Sequence, residues 1–276
     1  MGRNIVPQCY SSCVSAITSR QNPIVARFRA VAQGDDADLL LLDGVHLVTE
    51  ALGSGIRIRE VAIVTGDADR ADLADLTGRL RRTDAPVTTV TTAVMAALSP
   101  VRSASPIVAI GERPSANDAA IYHGTPLVLI VIDVQDPGNV GAIVRVAEAG
   151  GATGVVCAGA SADPFGWKAL RGSMGSGLRL PTLVHRNAAD AIDDARRHGC
   201  RIVAAAPRGG TSLFETDLRG PLAVLVGSEG GGLTPSQLDA ADERVAIPMA
   251  SPVESLNAAV SAALIVYEAR RQRIHN

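Results

Sequence analysis

Apolar residues recur along this chain with two periods, and the alternation between them predicts its elements. In NPIVARFRAVAQG, Ile24, Phe28 and Val31 fall at helical spacing and Gly34 closes the run, which is the pattern of an amphipathic helix with a glycine stop. LLLLDG reads as a buried strand, residues 44–52 as a helix and VAIVTG as a strand. ADLADLTGRLRR reads as an amphipathic helix, and VTTVTT and IVAIGER as two further strands. These elements predict a small α/β unit over residues 17–113, preceded by a loose head at residues 1–16. The stretch ERPSANDAAIYHGTP is polar, turn-rich and unpatterned, so a linker is expected at residues 114–125.

From Pro126 onward the pattern becomes regular. LVLIVIDV is one continuous apolar run, as expected of a strand buried on both faces. DPGNVGAIVRVAEAGG follows as a loop and a helix with Val140, Val144 and Ala147 on one face. GVVCAG is a strand, residues 164–171 a short helix, LRLPTLV a strand and residues 188–198 a helix. The strands RIVAAAP and PLAVLVGSE come next, then a helix after Thr234, a strand RVAIPM, and a long helix from about Glu254. Such alternation predicts an α/β fold with a mostly parallel sheet and helices on both faces over residues 126–276.

Composition narrows the picture. With 276 residues the chain makes one large domain or two ordinary ones, and at 47% hydrophobic but only 3% aromatic its core must be built from Ala, Val, Leu and Ile. A net charge of −2 excludes a basic coat but not a local basic groove. Lys168 is the only lysine. Arginine forks suit phosphates and planar bases, but a GC-rich coding sequence produces the same bias and is the favoured account. Cys9 and Cys13 fall in the head, Cys157 ends a strand and Cys200 precedes one. Neither their spacing nor their neighbours suit zinc or a disulfide framework, so a reduced, cytoplasmic protein is expected. No apolar run reaches the roughly 18 residues of a membrane helix. The first residues lack a signal-peptide core and the hydroxyl residue that myristoylation requires at position 6.

Three loops carry the candidate chemistry. DPGNVG, residues 136–141, opens a helix at the end of a buried strand, where open α/β sheets bind ligands. It contains neither GxGxxG nor GxxxxGK[ST], and its glycines alone could serve a tight turn. Arg145 lies six residues beyond Asn139, and by itself is more often a solvated surface residue. GSEGGG, residues 227–232, exposes backbone to close approach and holds one charge, Glu229; a flexible turn explains it equally well. In IPMASPVESLNAAVSAA, Ser255 and Asn257 stand at a helix mouth, where the first turn leaves N–H donors free. Taken alone, Ser255 reads as a helix cap. Taken together, the loops each end a strand and each carry a small polar set without His, Cys or paired carboxylates. That argues against a hydrolytic triad, a metal centre or glycosidase chemistry and suits hydrogen bonding to a ribose or a base.

In order and spacing, NVGAIVR after DPG, VGSEGGGL and IPMASPVESLNAAVSAA resemble the three motifs of the SpoU (TrmH-like) RNA 2′-O-ribose methyltransferases of the SPOUT superfamily. The resemblance is dense over residues 126–276. It extends more weakly to ITSRQNPIVARFRAV and LLLLDGVHLVTEAL, which look like the RNA substrate-binding domain found ahead of the catalytic one. It implies a deep trefoil knot around the second and third motifs, with S-adenosylmethionine bound there against Gly227, Ile247 and Leu256, and with Ala206 and Met249 completing the cofactor set. It also implies that Asn139, Arg145, Glu229, Ser255 and Asn257 are the catalytic positions. The family proposes that the counterpart of Arg145 activates the ribose hydroxyl. Because a guanidinium rarely gives up its proton, an Arg145 that orients the phosphate and stabilises the developing alkoxide is preferred here.

The implied partners are RNA, read as 23S ribosomal RNA rather than tRNA, and a second copy of the chain across the last helix through Leu256, Val260, Leu264 and Tyr267. That helix face could equally pack on its own sheet. No metal, membrane or DNA is implied. Candidate RNA contacts are Arg20, Arg27 and Arg29 in the first unit and Arg171 in the second. SPVRSASP departs from the Pro-Gln-Gly-like turn usual before the IVAIGE strand, whereas the stretch from Asp163 to Lys168, with Ser173 and Gly175 after it, fits the family pattern better. Two other classes stay open: a knotted RNA-binding assembly factor without activity, and a Rossmann-type oxidoreductase. The retained polar set argues against the first, and the missing glycine fingerprint against the second.

Overall fold

A computed structural model describes residues 16–67 and 70–274, with the side chains of residues 71 and 72 excepted. Nearly all of the expected head at residues 1–16, with Cys9 and Cys13, lies outside the described residues.

The first sheet is built from α1 (Pro23–Gln33), β1 (Leu39–Asp43), α2 (Val45–Gly53), β2 (Ile58–Val64), α3 (Ala71–Leu80), β3 (Val87–Val90), α4 (Thr92–Leu98) and β4 (Ile107–Glu112). Asn22 caps α1 through its side chain and Gly34 ends it in the left-handed conformation, as the pattern predicted. Strand order is β1-β4-β2-β3, antiparallel except for the β2–β3 pair. Helix α4 was not expected; Thr91 caps it, and its Val94, Met95 and Leu98 are buried. The expected linker is not wholly irregular either, because Asn117 caps a short helix α5 (Asp118–Ile121) that buries Ile121.

The second sheet follows. It comprises β5 (Leu127–Ile132), α6 (Pro137–Gly150), β6 (Gly154–Ala158), α7 (Trp167–Ser173), β7 (Thr182–His185), α8 (Ala188–Arg197), β8 (Arg201–Ala205), β9 (Thr211–Ser212), β10 (Leu222–Val226), α9 (Pro235–Asp239), β11 (Glu243–Ala246) and α10 (Ala258–Ile274). Its order is β7-β6-β5-β10-β8-β11-β9, and its ladders are parallel. Alternate residues of β5 supply two cores. Leu127, Leu129 and Val131 pack with α6 and α10; Val128, Ile130 and Ile132 pack with Ile121 and α8. That is the physical basis of the continuous apolar run in this strand.

Three boundaries differ from expectation. Helix α7 starts at Trp167, three residues late, because Asp163 first turns the chain by accepting from the Phe165 and Gly166 amides through its side chain and carbonyl. All of LRL in LRLPTLV, together with Pro181, precedes β7; its Leu178 ends a 3₁₀ turn, Ser176–Leu178. Helix α10 begins at Ala258 rather than near Glu254.

The two sheets do not merely follow one another. Phe165, Leu170 and Leu178 from the second sit inside a core with Leu40, Leu42 and Leu47 of the first, each contributing about 1.5–3 kcal/mol by burial. Arg113 stacks on Phe165 at 4.4 Å and pairs with Asp163. Arg179 reaches both Glu50 and Glu148. Among the described residues no helix is long and apolar enough to cross a membrane.

Candidate functional site

Strand order explains where the loops go. β5 and β10 are neighbours in parallel, with β6 and β7 continuing on one side and β8 and β11 on the other. Such a reversal leaves a crevice at the carboxyl ends of the strands. The loop after β5 carries Asn139 and the loop after β10 carries Glu229, so adjacency in the sheet brings together residues 90 positions apart.

The start of α6 is set locally. Asp136 is the N-cap and accepts from the Asn139 amide at 2.9 Å, and Pro137 occupies the first turn. Asn139 is thereby held on the first turn of the helix with its side chain free to bond elsewhere. Its Nδ2 donates to Glu229 Oε1, and its Oδ1 accepts from Asn257 Nδ2 at 3.0 Å. Asn257 Oδ1 in turn accepts from the Ala259 and Val260 amides at 2.9 and 3.3 Å. The direction of this relay is forced. A carboxylate only accepts, so the Asn139 amide nitrogen must face Glu229, its oxygen must face Asn257, and the Asn257 oxygen is left for the helix amides. The cap of α10 is therefore Asn257. Ser255, read from sequence as the cap, lies in the irregular segment before the helix and faces the cavity instead.

That cavity holds about 400 Å³, within the range of small-molecule sites. All five expected cofactor positions line it: Ala206 after β8, Gly227 after β10, and Ile247, Met249 and Leu256 after β11. Glu229 and Ser255 line it too. Gly227 is required sterically, since a Cβ there would sit 2.4–2.6 Å from the backbone of Gly232 and Leu233. The floor is apolar, with Val226 and Val245 buried. Arg208 also lines the cavity and pairs with Glu254 at 2.7 Å. Sequence reasoning missed it, although its place just beyond the carboxyl end of β8 was the available signal.

Arg145 is placed differently. It is exposed on α6, forms no ion pair or hydrogen bond among the described residues, and is not part of the cavity wall. Six residues leave it roughly 120° around the helix from Asn139, so it projects from a different side of α6. Of the candidate RNA contacts, Arg20 and Arg29 donate to the Ala93 and Ala97 carbonyls at 3.0 and 2.9 Å. Arg27 pairs with Glu60 at 3.1 Å. Only Arg171 is exposed and uncommitted among the described residues. No group of residues suited to hold a metal occurs among them.

Comparison with known proteins bears on the family of the chain and not on these individual positions. The model of the SpoU rRNA methylase family matches residues 126–267. A protein from Synechocystis described as an uncharacterized tRNA/rRNA methyltransferase is 32% identical over 95% of this chain and 96% of its own length. The 23S rRNA (guanosine(2553)-2′-O)-methyltransferase RlmP of Bacillus subtilis is 30% identical, covering 83% and 88%. Among solved structures, the SpoU methyltransferase AviRb from Streptomyces viridochromogenes in complex with AdoMet superposes with a TM-score of 0.83 at 29% identity, covering 92% of this chain and 99% of that one. An AdoMet-bound rRNA methyltransferase from Sinorhizobium meliloti superposes at 0.82 and 28% identity, covering 93% and 97%.

Proposed function

The chain belongs to the SpoU rRNA methylase family, and from that premise we propose that it transfers a methyl group from S-adenosylmethionine to a ribose 2′-hydroxyl of RNA, with 23S ribosomal RNA as the substrate, in the cytoplasm. The observation that carries the reading is the single cavity into which the loops after β8, β10 and β11 converge, with the Asn257–Asn139–Glu229 relay joined to it through Glu229. The same reading includes a deep trefoil knot in the chain around the loops after β10 and β11. Residues 17–113 serve as the RNA substrate-binding domain and residues 126–276 as the methyltransferase domain.

The cavity residues fit the cofactor. Buried Val226 and Val245 offer an apolar seat for a planar base, and the Gly227–Gly232 turn offers backbone groups without side chains in the way. When bound, S-adenosylmethionine supplies an activated methyl group on a sulfonium. The protein's own task is alignment rather than strong acid–base catalysis. The relay fixes the Glu229 carboxylate through Asn139, and Ser255 adds a hydroxyl at the same wall.

The Arg145 guanidinium orients the target phosphate and stabilises the alkoxide that develops on the ribose. From its exposed position on α6 it acts in a homodimer, where the RNA site is completed by a second copy. Val260, Leu264 and Tyr267 are exposed at 42–51% on α10 and form the apolar stripe for that contact. α6 and α10 run side by side, from the Asn139–Asn257 bond to the approach of Gly150 to Val266. Arg145 lies between those two points along α6.

The test is Arg145→Ala with unmodified 23S rRNA transcript. Methyl transfer is expected to fall about 10²–10³-fold, while calorimetry shows S-adenosylmethionine binding unchanged. Near-wild-type turnover would remove Arg145 from the mechanism, and no calorimetric binding by the wild-type chain would remove the cofactor assignment.

A further inference from the structure

A second hollow, of about 440 Å³, opens where α2 of the first sheet meets α7 of the second, and the methyl-transfer site uses none of its charged or aromatic side chains. His46, Trp167, Lys168, Arg171 and Met174 line it, with Asp43 at its base. The chemistry is concentrated. Trp167 is the only tryptophan of the chain and Lys168 its only lysine, and the Lys168 ammonium stands 5.4 Å from the centre of the indole. Lys168 and Arg171 are both exposed, and neither forms an ion pair among the described residues. The one carboxylate, Asp43, is buried and accepts from the Ser99 and Ser105 hydroxyls. The cleft therefore presents positive charge beside an aromatic face.

Two further features point the same way. Met174 is held at φ +51° with its side chain 44% exposed. That conformation ends α7 and presents the Met174 carbonyl to His46. The His46 ring is fixed against the same residue, its Nε2 at 3.2 Å from the Met174 carbonyl, which makes Nε2 the donor. Gly172, also in the cleft wall, packs on the start of α6. A Cβ on it would lie 3.2 Å from the Gly138 carbonyl, next to Asn139 in the chain. The cleft and the relay thus share the α6–α7 contact.

Resting on the reading of the chain as an RNA methyltransferase, we propose that this cleft binds a nucleotide of the substrate RNA flanking the methylated one, its base stacked on Trp167 and its phosphate between Lys168 and Arg171. Single-stranded RNA is recognised by stacking of unpaired bases on aromatic faces and by cations that follow the backbone. A lysine and an arginine at one phosphate combine a mobile point charge with a planar fork. The cleft anchors the strand beside the target nucleotide, and so contributes to substrate affinity.

Trp167 makes the test direct, because excitation beyond the absorption of the three tyrosines reads the fluorescence of this one indole. Full-length protein loaded with S-adenosylhomocysteine is titrated with unmodified 23S rRNA transcript. Saturable quenching is expected. Lys168→Glu, at an exposed position, should weaken it about tenfold, and Lys168→Ala should lower the slope of log affinity against log salt by about 0.7. Calorimetric affinity for S-adenosylmethionine should stay unchanged in both variants. If the wild-type enzyme methylates the transcript but shows no quenching, or if Lys168→Glu leaves the quenching curve unaltered, the cleft assignment falls and the methyltransferase reading stands. If quenching responds to Lys168→Glu while no methyl transfer occurs, the cleft stands as an RNA site and the enzymatic reading falls.

Discussion

Replacing Gly141 by alanine tests how the two helices that frame the site are held together. A Cβ at Gly141 would lie 2.3 Å from the Ala169 carbonyl oxygen, 2.9 Å from the Ser173 nitrogen and 3.0 Å from the Gly172 Cα. All three atoms are backbone of α7, so no rotamer change relieves the overlap. Ordinary contact begins near 3.4 Å, so α7 must retreat by about 1 Å. Behind it, Leu170 is locked into the core shared with Leu40 and Leu42. Overpacking of this kind costs about 1–3 kcal/mol, offset by up to about 1 kcal/mol from the helix propensity that alanine gains over glycine. At about 2–4 °C per kcal/mol for a chain of this order of size, the melting temperature should drop by several degrees. Gly78→Ala in α3 is the control. Nothing lies within 4 Å of its added Cβ, so that variant should melt at or slightly above wild type. Function should respond as well, because Asn139 stands two residues before Gly141. A shift of about 1 Å in catalytic positioning can reduce the rate about 10²-fold, while the cofactor cavity, built from other loops, keeps its affinity. The assay is thermal melting of both variants beside methyl transfer and calorimetry. A Gly141→Ala protein that melts with wild type and turns over normally would refute the claim that this close approach positions Asn139.

Asn139→Ala leaves Glu229 and the Asn257 amide without their shared partner; methyl transfer should fall about 10²-fold with cofactor affinity intact, and equal loss of both would place Asn139 in the cofactor site instead. Burial pushes the Cys157 thiol up to about 12 and the Cys200 thiol up to about 11, so iodoacetamide near neutral pH should leave both unlabelled in the folded protein by peptide mass mapping; labelling without unfolding would contradict their burial. Hydrogen bonds from Arg179 at 2.7 and 2.8 Å hold the Glu148 carboxyl below its usual 4.5. Its folded pKa being lower than its unfolded one, the unfolded chain binds more protons at intermediate pH. The pair's stabilisation is therefore present above the unfolded value and lost as pH falls through the folded one. Urea denaturation should show Glu148→Gln less stable than wild type at neutral pH, the gap closing in acid; a gap that persists in strong acid would assign the effect to packing.

Much of the element order was legible because local periodicity is a local property. The β5 run LVLIVI, the Asp136-Pro137 start of α6 and the Gly34 stop of α1 each declare themselves within a few residues. Short elements did not. Seven-residue α4 and four-residue α5 are too brief to show a period, and each is secured by a single capping side chain, Thr91 or Asn117, together with burial of Val94 and Ile121. At α10 the local pattern favoured Ser255 as the cap. The choice fell to Asn257 because its amide also reaches Asn139, a partner 118 residues away.

The sequence by itself determined the α/β alternation, the three glycine- and polar-rich loops at strand ends and, through them, the family. Only the tertiary structure decided that β10 inserts beside β5, since nothing in either strand encodes its neighbour. That placement turns Asn139 and Glu229 into hydrogen-bonded partners. It likewise decided that α7 buries Leu170 in the core of the first sheet, and so formed the cleft of His46, Trp167 and Lys168 from segments far apart in the chain, His46 meeting a residue 128 positions away. Contacts between distant segments are selected by the burial of whole faces, and that is a property of the assembled layers rather than of any stretch of chain.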